Sequence, residues 1–406
     1  MAAAIQWVLK DGVGHLGAIM YATAVNTRFD ADAKRHRFRS VVAATAADAI
    51  AVLMPLWPGM FMPMASASAV LSSTSSVASV SARARIYASF SNGGNLADIS
   101  RAGQSQSKLS SLMGTALGAT LSWVLGPEPL VVLAACAPLA AVSLAAMYRS
   151  SSLVVLPSLN LQRAELLFLD LLRQLPTGEH GSLLGAVQLH LDAAEQSLIA
   201  PPPATVARDE TFACAYVSVF GPHTELHLQP LLGPATNVVH PGATADLRAV
   251  RTLLPSGSGS RAAIADVAEA SGGWCAAWHG VDPDGTAAAA AATPLYAISH
   301  RSATAEAGGA AVAQVLVWHR AEATAEAKLR AVWHASLLRY HHEAWAQSPG
   351  LAAAAATAAA ATPRALDELH ALAHASWPHA LEAMRRSGWD VGRVYLDGDG
   401  ACLEPG

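Results

Sequence analysis

Formal charge is almost absent from two long stretches of this chain. Residues 40–82 carry only Asp48, and residues 109–148 carry only Glu128. Residues 12–27 are uncharged as well. A helix needs about 20 apolar residues to cross a bilayer, and each of these runs approaches or exceeds that length. Pro55-Leu56-Trp57-Pro58-Gly59 and Gly126-Pro127-Glu128-Pro129 break the two longer runs into hairpins. The pattern predicts five spans, near 12–27, 40–54, 60–82, 109–125 and 130–148.

The cations between these runs fall on alternate connections. Arg28, Lys34, Arg35, Arg37 and Arg39 follow the first run, Arg83, Arg85, Arg101 and Lys108 follow the third, and Arg149 follows the fifth. The two Pro-containing turns have no Lys or Arg. A positive-inside bias produces this one-sided distribution. The competing reading is a water-soluble bundle of poorly charged Ala/Ser helices, and the charge sorting favours the membrane. Gly114 and Gly118 add a small-xxx-small face on which membrane helices can pack.

From residue 160 the pattern changes. Residues 1–150 hold 11 Lys+Arg against 6 Asp+Glu, whereas the rest holds 15 against 24. Amphipathic helices are expected at 160–175, opened by Asn160 or Ser158, and at 323–346 and 364–386, the last kinked at Pro378. Strands are expected at 211–220, 224–232, 294–300, 312–319 and 392–397. Pro201–Pro203, Ser256–Ser260, Ala287–Ala292 and Ala352–Ala361 read as mobile low-complexity linkers. The chain is thus expected to be mainly α. An N-terminal hydrophobic, transmembrane helical bundle (1–155) leads through a helical connector (156–200) to a smaller soluble α+β region (201–350). A C-terminal helix and short strand (351–406) close it.

Few motifs carry chemistry. Gly12-Val13-Gly14-His15-Leu16-Gly17 matches GxGxxG but has no βαβ context, so its glycines are assigned to close helix packing. His370 and His374 sit at i and i+4 without a third ligand, and His341-His342-Glu343 has the wrong spacing for one helical face. Both are taken as surface histidines, with no metal. Cys136, Cys214, Cys275 and Cys402 are too scattered for a disulfide framework. No nucleophile elbow, phosphate loop or dense basic and aromatic nucleic-acid patch is present. No cofactor is expected.

Five segments, in order, carry a family resemblance: Trp7–Gly17, Phe29–Arg35, Ser81–Ala84, Asn95–Ser100 and Leu156–Arg163. Together they resemble the root UV-B sensitive (RUS) family, with Ala323–Leu338 and Gly388-Trp389-Asp390 similar to its later helix and closing segment. The resemblance implies a membrane- or organelle-associated protein linked to UV-B responses, plant-type development and vitamin B6 homeostasis. It implies no catalytic residues. It begins at Trp7, leaving no visible targeting peptide; a plastid membrane is favoured over a mitochondrial one.

The expected function is a non-catalytic membrane adaptor rather than an enzyme. Its partners would be the lipid bilayer and a family paralogue or a pyridoxal-phosphate enzyme, with no nucleic acid. The alternative is a membrane transporter of a small anionic metabolite, for which the sequence supplies little midplane polarity. Lys34, Arg35, Arg37 and Arg83, with Asn95 and Asp98, are candidates for ligand or acidic-lipid binding. Topology determination by the same cations is the simpler role. Asp98 is expected to pair with one of them. Asp48, the only formal charge inside an expected span, is the intramembrane polar candidate.

Overall fold

A computed structural model describes residues 2–25, 28–91, 94–175, 198–214, 216–221, 224–231, 274–278, 296–302, 313–320, 323–347 and 363–396. Two compact units emerge: Met1–Leu156 with Glu210–Ala215, and Pro157–Asp209 with Tyr216–Gly406. The chain is mainly helical, as its periodicity predicts.

The first unit contains α1 (Ala2–Val25), the short α2 (Arg28–Ala31), α3 (Ala33–Leu53), α4 (Phe61–Phe90), α5 (Leu96–Leu125) and α6 (Pro129–Ser152). The Pro-rich turn becomes two 3-10 segments, Met54–Leu56 and Pro58–Met60, which reverse the chain between α3 and α4. Gly126 ends α5 at φ +73, a backbone state that glycine adopts without penalty, and Pro129 opens α6.

What packs inside this unit is small. Ala33, Ala47, Ala65, Ala78 and Ala82 are buried, and Ser68 and Ser75 of α4 donate to the carbonyls of Ala47 (2.9 Å) and Ser40 (2.6 Å) on α3. Small residues and Ser-to-backbone bonds let helices approach closely without a greasy seam. A Cβ on Gly14 would meet the Ala69 carbonyl oxygen at 3.1 Å, so the glycine sets the α1–α4 approach. That segment is continuous helix, which disposes of any dinucleotide loop. Large apolar side chains face outward instead. Among the described residues, every exposed large hydrophobic except Ile199 and Val217 lies in residues 1–156.

The five expected spans fall on α1, α3, α4, α5 and α6, but only two described helical stretches, Ala33–Leu56 and Pro129–Ser152, are long and apolar enough to cross a membrane. Length and apolarity thus single out two of the five. Serines dilute α4, Lys10 and Asp11 interrupt α1, and the first half of α5 is polar. Asp48 is exposed rather than turned to a bundle interior; it lies five residues, about 8 Å, from the α3 end.

The second unit is organised around α9 (Ala325–Gln347). It packs against α7 (Leu161–Leu172), α10 (Pro363–Arg386) and two sheets. One sheet pairs β1 (Ser158–Asn160) in parallel with β6 (Asp390–Tyr395). The other has the order β2 (Thr224–Leu231), β5 (Ala313–Arg320), β4 (Tyr296–Ser302), β3 (Trp274–Trp278). β2 runs parallel to β5 and the other neighbours are antiparallel. Trp333, Phe168, Leu337, Leu369, Trp377 and Met384 fill one shared core.

Local chemistry explains the element starts. Asn160 caps α7 by accepting the Arg163 N–H at 2.9 Å, resolving the choice between Asn160 and Ser158. Residues 211–214 and 216–220 form no strand, because this segment is tied down by side-chain contacts instead of a ladder. Pro201–Pro203 is no mobile linker: Pro203 opens α8 (Pro203–Asp209), and the Pro201 carbonyl accepts from Trp389 Nε1 at 2.8 Å. The other three low-complexity stretches lie outside the described residues. α10 runs unbroken through Pro378.

Replacing Gly14 with Leu should push α1 from α4 and destabilise the detergent-solubilised protein by about 1–3 kcal/mol. Gly118→Leu should be neutral, because nothing lies within 4 Å of a Cβ there. Thermal unfolding of the two variants side by side checks the contrast.

Candidate functional site

Polar side chains converge at two places, one in each unit. In the first, the starts of α2 and α3 meet the end of α4, as the Arg37–Ser79 hydrogen bond and the Arg85–Asp30 ion pair (4.0 Å) show. The end of α6 joins them: Tyr148 packs on Phe38 with ring centroids 6.1 Å apart. Most of the cations sorted by the sequence therefore gather at one end of this unit.

The sequence-derived cluster does not form as one site. Lys34 is 1% exposed and pairs at 2.6 Å with Glu210, itself 3% exposed. Arg35 approaches Asp32 at 3.7 Å and the Thr211 carbonyl at 3.4 Å. Arg83 lies one helical turn beyond Ser79, the residue bonded by Arg37. Asn95 and Asp98 stand apart. Asn95 precedes α5 and accepts from Ser91 at 3.2 Å, while Asp98 faces only Arg101 (3.8 Å), both being more than three-quarters exposed. The expected bridge from Asp98 to the α3 or α4 cations is corrected accordingly. In the first turn of α5 its charge favours the helix dipole instead.

Sequence reasoning missed the segment around Glu210. Its carboxylate is the buried counter-ion of Lys34, and Phe212 stacks against Tyr148 (5.0 Å) and Phe38 (6.1 Å). Beside these rings an open cleft of about 420 Å³ is lined by Phe38, Leu144, Ala145, Tyr148 and Arg149. Only the single Glu-x-Phe pattern marks this segment in sequence, too common a signal to read.

In the second unit, Glu165 of α7 and Arg339 of α9 form an ion pair at 2.6 Å, 1% and 0% exposed. The carboxylate also accepts from the hydroxyls of Tyr216 and Ser218, each at 2.6 Å. Arg339 reaches Ser218 Oγ at 2.6 Å and Thr224 Oγ1 at 3.2 Å, with its guanidinium 5.0 Å from the centre of the Phe220 ring. Burial, then the Glu165 charge and hydrogen bond, raise the Tyr216 pKa and keep the phenol protonated. Gly221 follows at φ +91, and the Glu343 carboxyl occupies the space where a Cβ would sit, with its carbon 2.6 Å away. The positive φ strains any residue but glycine at this position.

His341, His342, His370 and His374, expected at the surface, are half-buried. The fully buried histidine is His334, 0% exposed, whose ring lies 4.9 Å from His370 and 6.4 Å from His374. Burial pushes His334 well down and His374 to about 3, so both are neutral. The Arg330 guanidinium sits 2.6 Å from His374 Nδ1 and bonds Tyr296, placing a fixed cation where a metal would need an open nitrogen. Among the described residues no group of three His, Cys, Asp or Glu could hold a metal. His300, 3% exposed, is lowered to about 4 by burial and by nearby His342.

Two family models match the chain. Residues 1–174 match a "Vitamin B6 photo-protection and homoeostasis domain", and residues 309–400 match "Root UVB sensitive protein, C-terminal". The chain belongs to the root UV-B sensitive family. Among its relatives in Arabidopsis thaliana, Protein root UVB sensitive 6 is 32% identical over 30% of this chain and 24% of its own length. Protein root UVB sensitive 3 is 29% identical over 41% of this chain and 38% of its own. Protein root UVB sensitive 2, chloroplastic, is 31% identical over 30% and 28%. The matches thus span well under half of these relatives. No solved structure matches the chain.

Family membership gives the RUS motifs a physical reading. Leu156–Arg163 supplies β1 and the Asn160 cap, and β1 pairs with β6 from the C-terminal match. The Glu165–Arg339 ion pair likewise joins the two matched regions across 174 residues of sequence.

Breaking a buried pair by removing one partner costs about 3–5 kcal/mol. Arg339→Met should therefore destabilise strongly, and adding Glu165→Gln should recover part of the loss; denaturant unfolding of the two proteins measures both. His300 adds a pH signature. Its folded pKa, about 4, lies below the ordinary 6.5. Its contribution is fully present above pH 6.5 and is lost as pH falls toward 4, on the order of 3 kcal/mol in total. His300→Gln should make the stability profile less steep in that window, with His334, His341 and His374 supplying the remaining slope.

Proposed function

We propose that this RUS protein is a membrane adaptor whose residues 1–156 lie in an organelle bilayer and whose residues from 157 onward form a folded module that docks a partner. The carrying observation is the inverted packing of the first unit, with Ala and Ser inside and large apolar side chains outside. In water that surface would be a severe liability; in lipid it is the expected one, since lipid tails are as apolar as leucine. α3 and α6 have the length and composition to span. α4 and α5, at 30 residues each and about 45 Å long, accompany them across the roughly 30 Å hydrocarbon layer. The chloroplastic name of one relative favours a plastid.

A non-catalytic role fits the second unit. Its most concentrated charge, Glu165, is held by Arg339, Tyr216 and Ser218, an arrangement suited to holding structure together. The vitamin B6 domain match makes a pyridoxal-phosphate enzyme, or a RUS paralogue, the partner of choice.

Carbonate-washed membranes should retain the full-length protein; recovery in the supernatant would refute the embedding. In a variant lacking the native cysteines, single cysteines at Arg39 and Arg101 should react with an impermeant maleimide from one side. Cysteines at Trp57 and Glu128 should react from the other.

A further inference from the structure

The acids and bases at the basic end of the helical unit can be matched pair by pair. Asp30 faces Arg85, Asp32 faces Arg35, and Glu210 is buried against Lys34. Among the described residues, that leaves Arg37, Arg39, Arg83 and Arg149 at this end without a carboxylate partner. Arg39 and Arg149 are exposed, so water solvates them. Arg37 and Arg83 are half-buried on facing helices, and each charge is felt by the other.

Their surroundings are donors. Arg37 is bonded to Ser79 Oγ. Arg83 follows Ser79 by four residues, so α4 carries both on the face toward α3. The Tyr87 hydroxyl, one turn further on, packs against Gly103 of α5 instead. Guanidinium groups do not shed their protons. Two of them, brought together and partly shielded from water, repel each other and are drawn to an anion that both can grip. The planar fork of Arg matches phosphate oxygens bidentately, which a Lys cannot do.

We propose that Arg37 and Arg83, with the Ser79 hydroxyl beside them, form a binding site for a phosphate-bearing anion. Lys34 and Arg35 are excluded from it because Glu210 and Asp32 already neutralise them. A free phosphomonoester and an acidic lipid headgroup share the recognised chemistry. The site stands on the geometry of α3 and α4 and does not depend on the adaptor reading.

The test uses the full-length protein purified in a neutral detergent, with Arg83→Gln, Arg83→Lys and Arg39→Gln beside wild type. Arg39→Gln removes the same charge from a neighbouring exposed position. One arm titrates inorganic phosphate and follows thermal unfolding; the other floats the proteins with phosphatidylcholine vesicles containing phosphatidic acid. Arg83→Gln should weaken binding about tenfold in at least one arm, Arg83→Lys should rescue it only partly, and Arg39→Gln should stay within about twofold of wild type. An effect in the phosphate arm identifies a free anion, and one confined to vesicles identifies a headgroup.

Without phosphate, Arg83→Gln should be at least as heat-stable as wild type, since it removes like-charge repulsion. With phosphate the order should reverse, a crossing that a purely structural arginine would not produce. Equal binding by Arg83→Gln and Arg39→Gln in both arms overturns the proposal, as does an Arg83→Gln protein that is less stable by the same margin with and without phosphate.

Discussion

The Arg339 guanidinium is sealed from water in the middle of the second unit, and much of that unit is arranged to make this tolerable. A cation cannot be left there alone, so Glu165 of α7 meets it at 2.6 Å, and Ser218 and Thr224 satisfy further donors. Those contacts fix the register of α7 against α9 and hold residues 216–220 in place without a strand. The segment ends on Gly221, whose positive φ favours glycine. The apolar core around Trp333 and Phe168 supplies the burial energy. The ion pair restricts the ways in which that core can close. Because Glu165 and Arg339 belong to the two separate family matches, the N-terminal domain signature runs structurally into the second unit.

The helical unit solves the opposite problem. It has almost no charge to place and almost no large side chain inside. Its helices touch through Ala, Gly and Ser, with Ser hydroxyls reaching backbone carbonyls, and its bulky residues remain outside. The few charges are gathered at one end, where carboxylates neutralise some and leave Arg37 and Arg83 facing one another. The same scarcity that leaves α3 and α6 long and apolar enough to cross a membrane makes those two arginines conspicuous.

Much of the secondary structure was legible. Long uncharged runs bounded by Pro and Gly located α3 to α6, and the 3.6-residue apolar rhythm located α7, α9 and α10. Short strand-like segments between turn residues located β2, β4 and β5. The count of spans was not legible, because small residues such as Ala and Ser look permissive in sequence while adding little transfer energy. The strand expected at 211–220 failed for a related reason: alternating apolar residues there serve as anchors for rings and hydroxyls. β3, a five-residue segment between long irregular stretches, gave too short a pattern to identify.

Of the candidate site, sequence by itself determined the family, the one-sided sorting of the cations, and the presence of Arg37 and Arg83 on adjacent elements. Only tertiary structure decided which cations were neutralised. Glu210 lies 176 residues from Lys34, and no local periodicity relates them. The same holds for Glu165 with Arg339 and for His370 and His374, whose i, i+4 spacing does not reveal that they pack beside the buried His334 of another helix. Spacing along a helix is set by local geometry, which the sequence carries directly. The partner that a charge finds depends on how distant elements fold back under the cost of burying it, and that is settled only when the whole core closes.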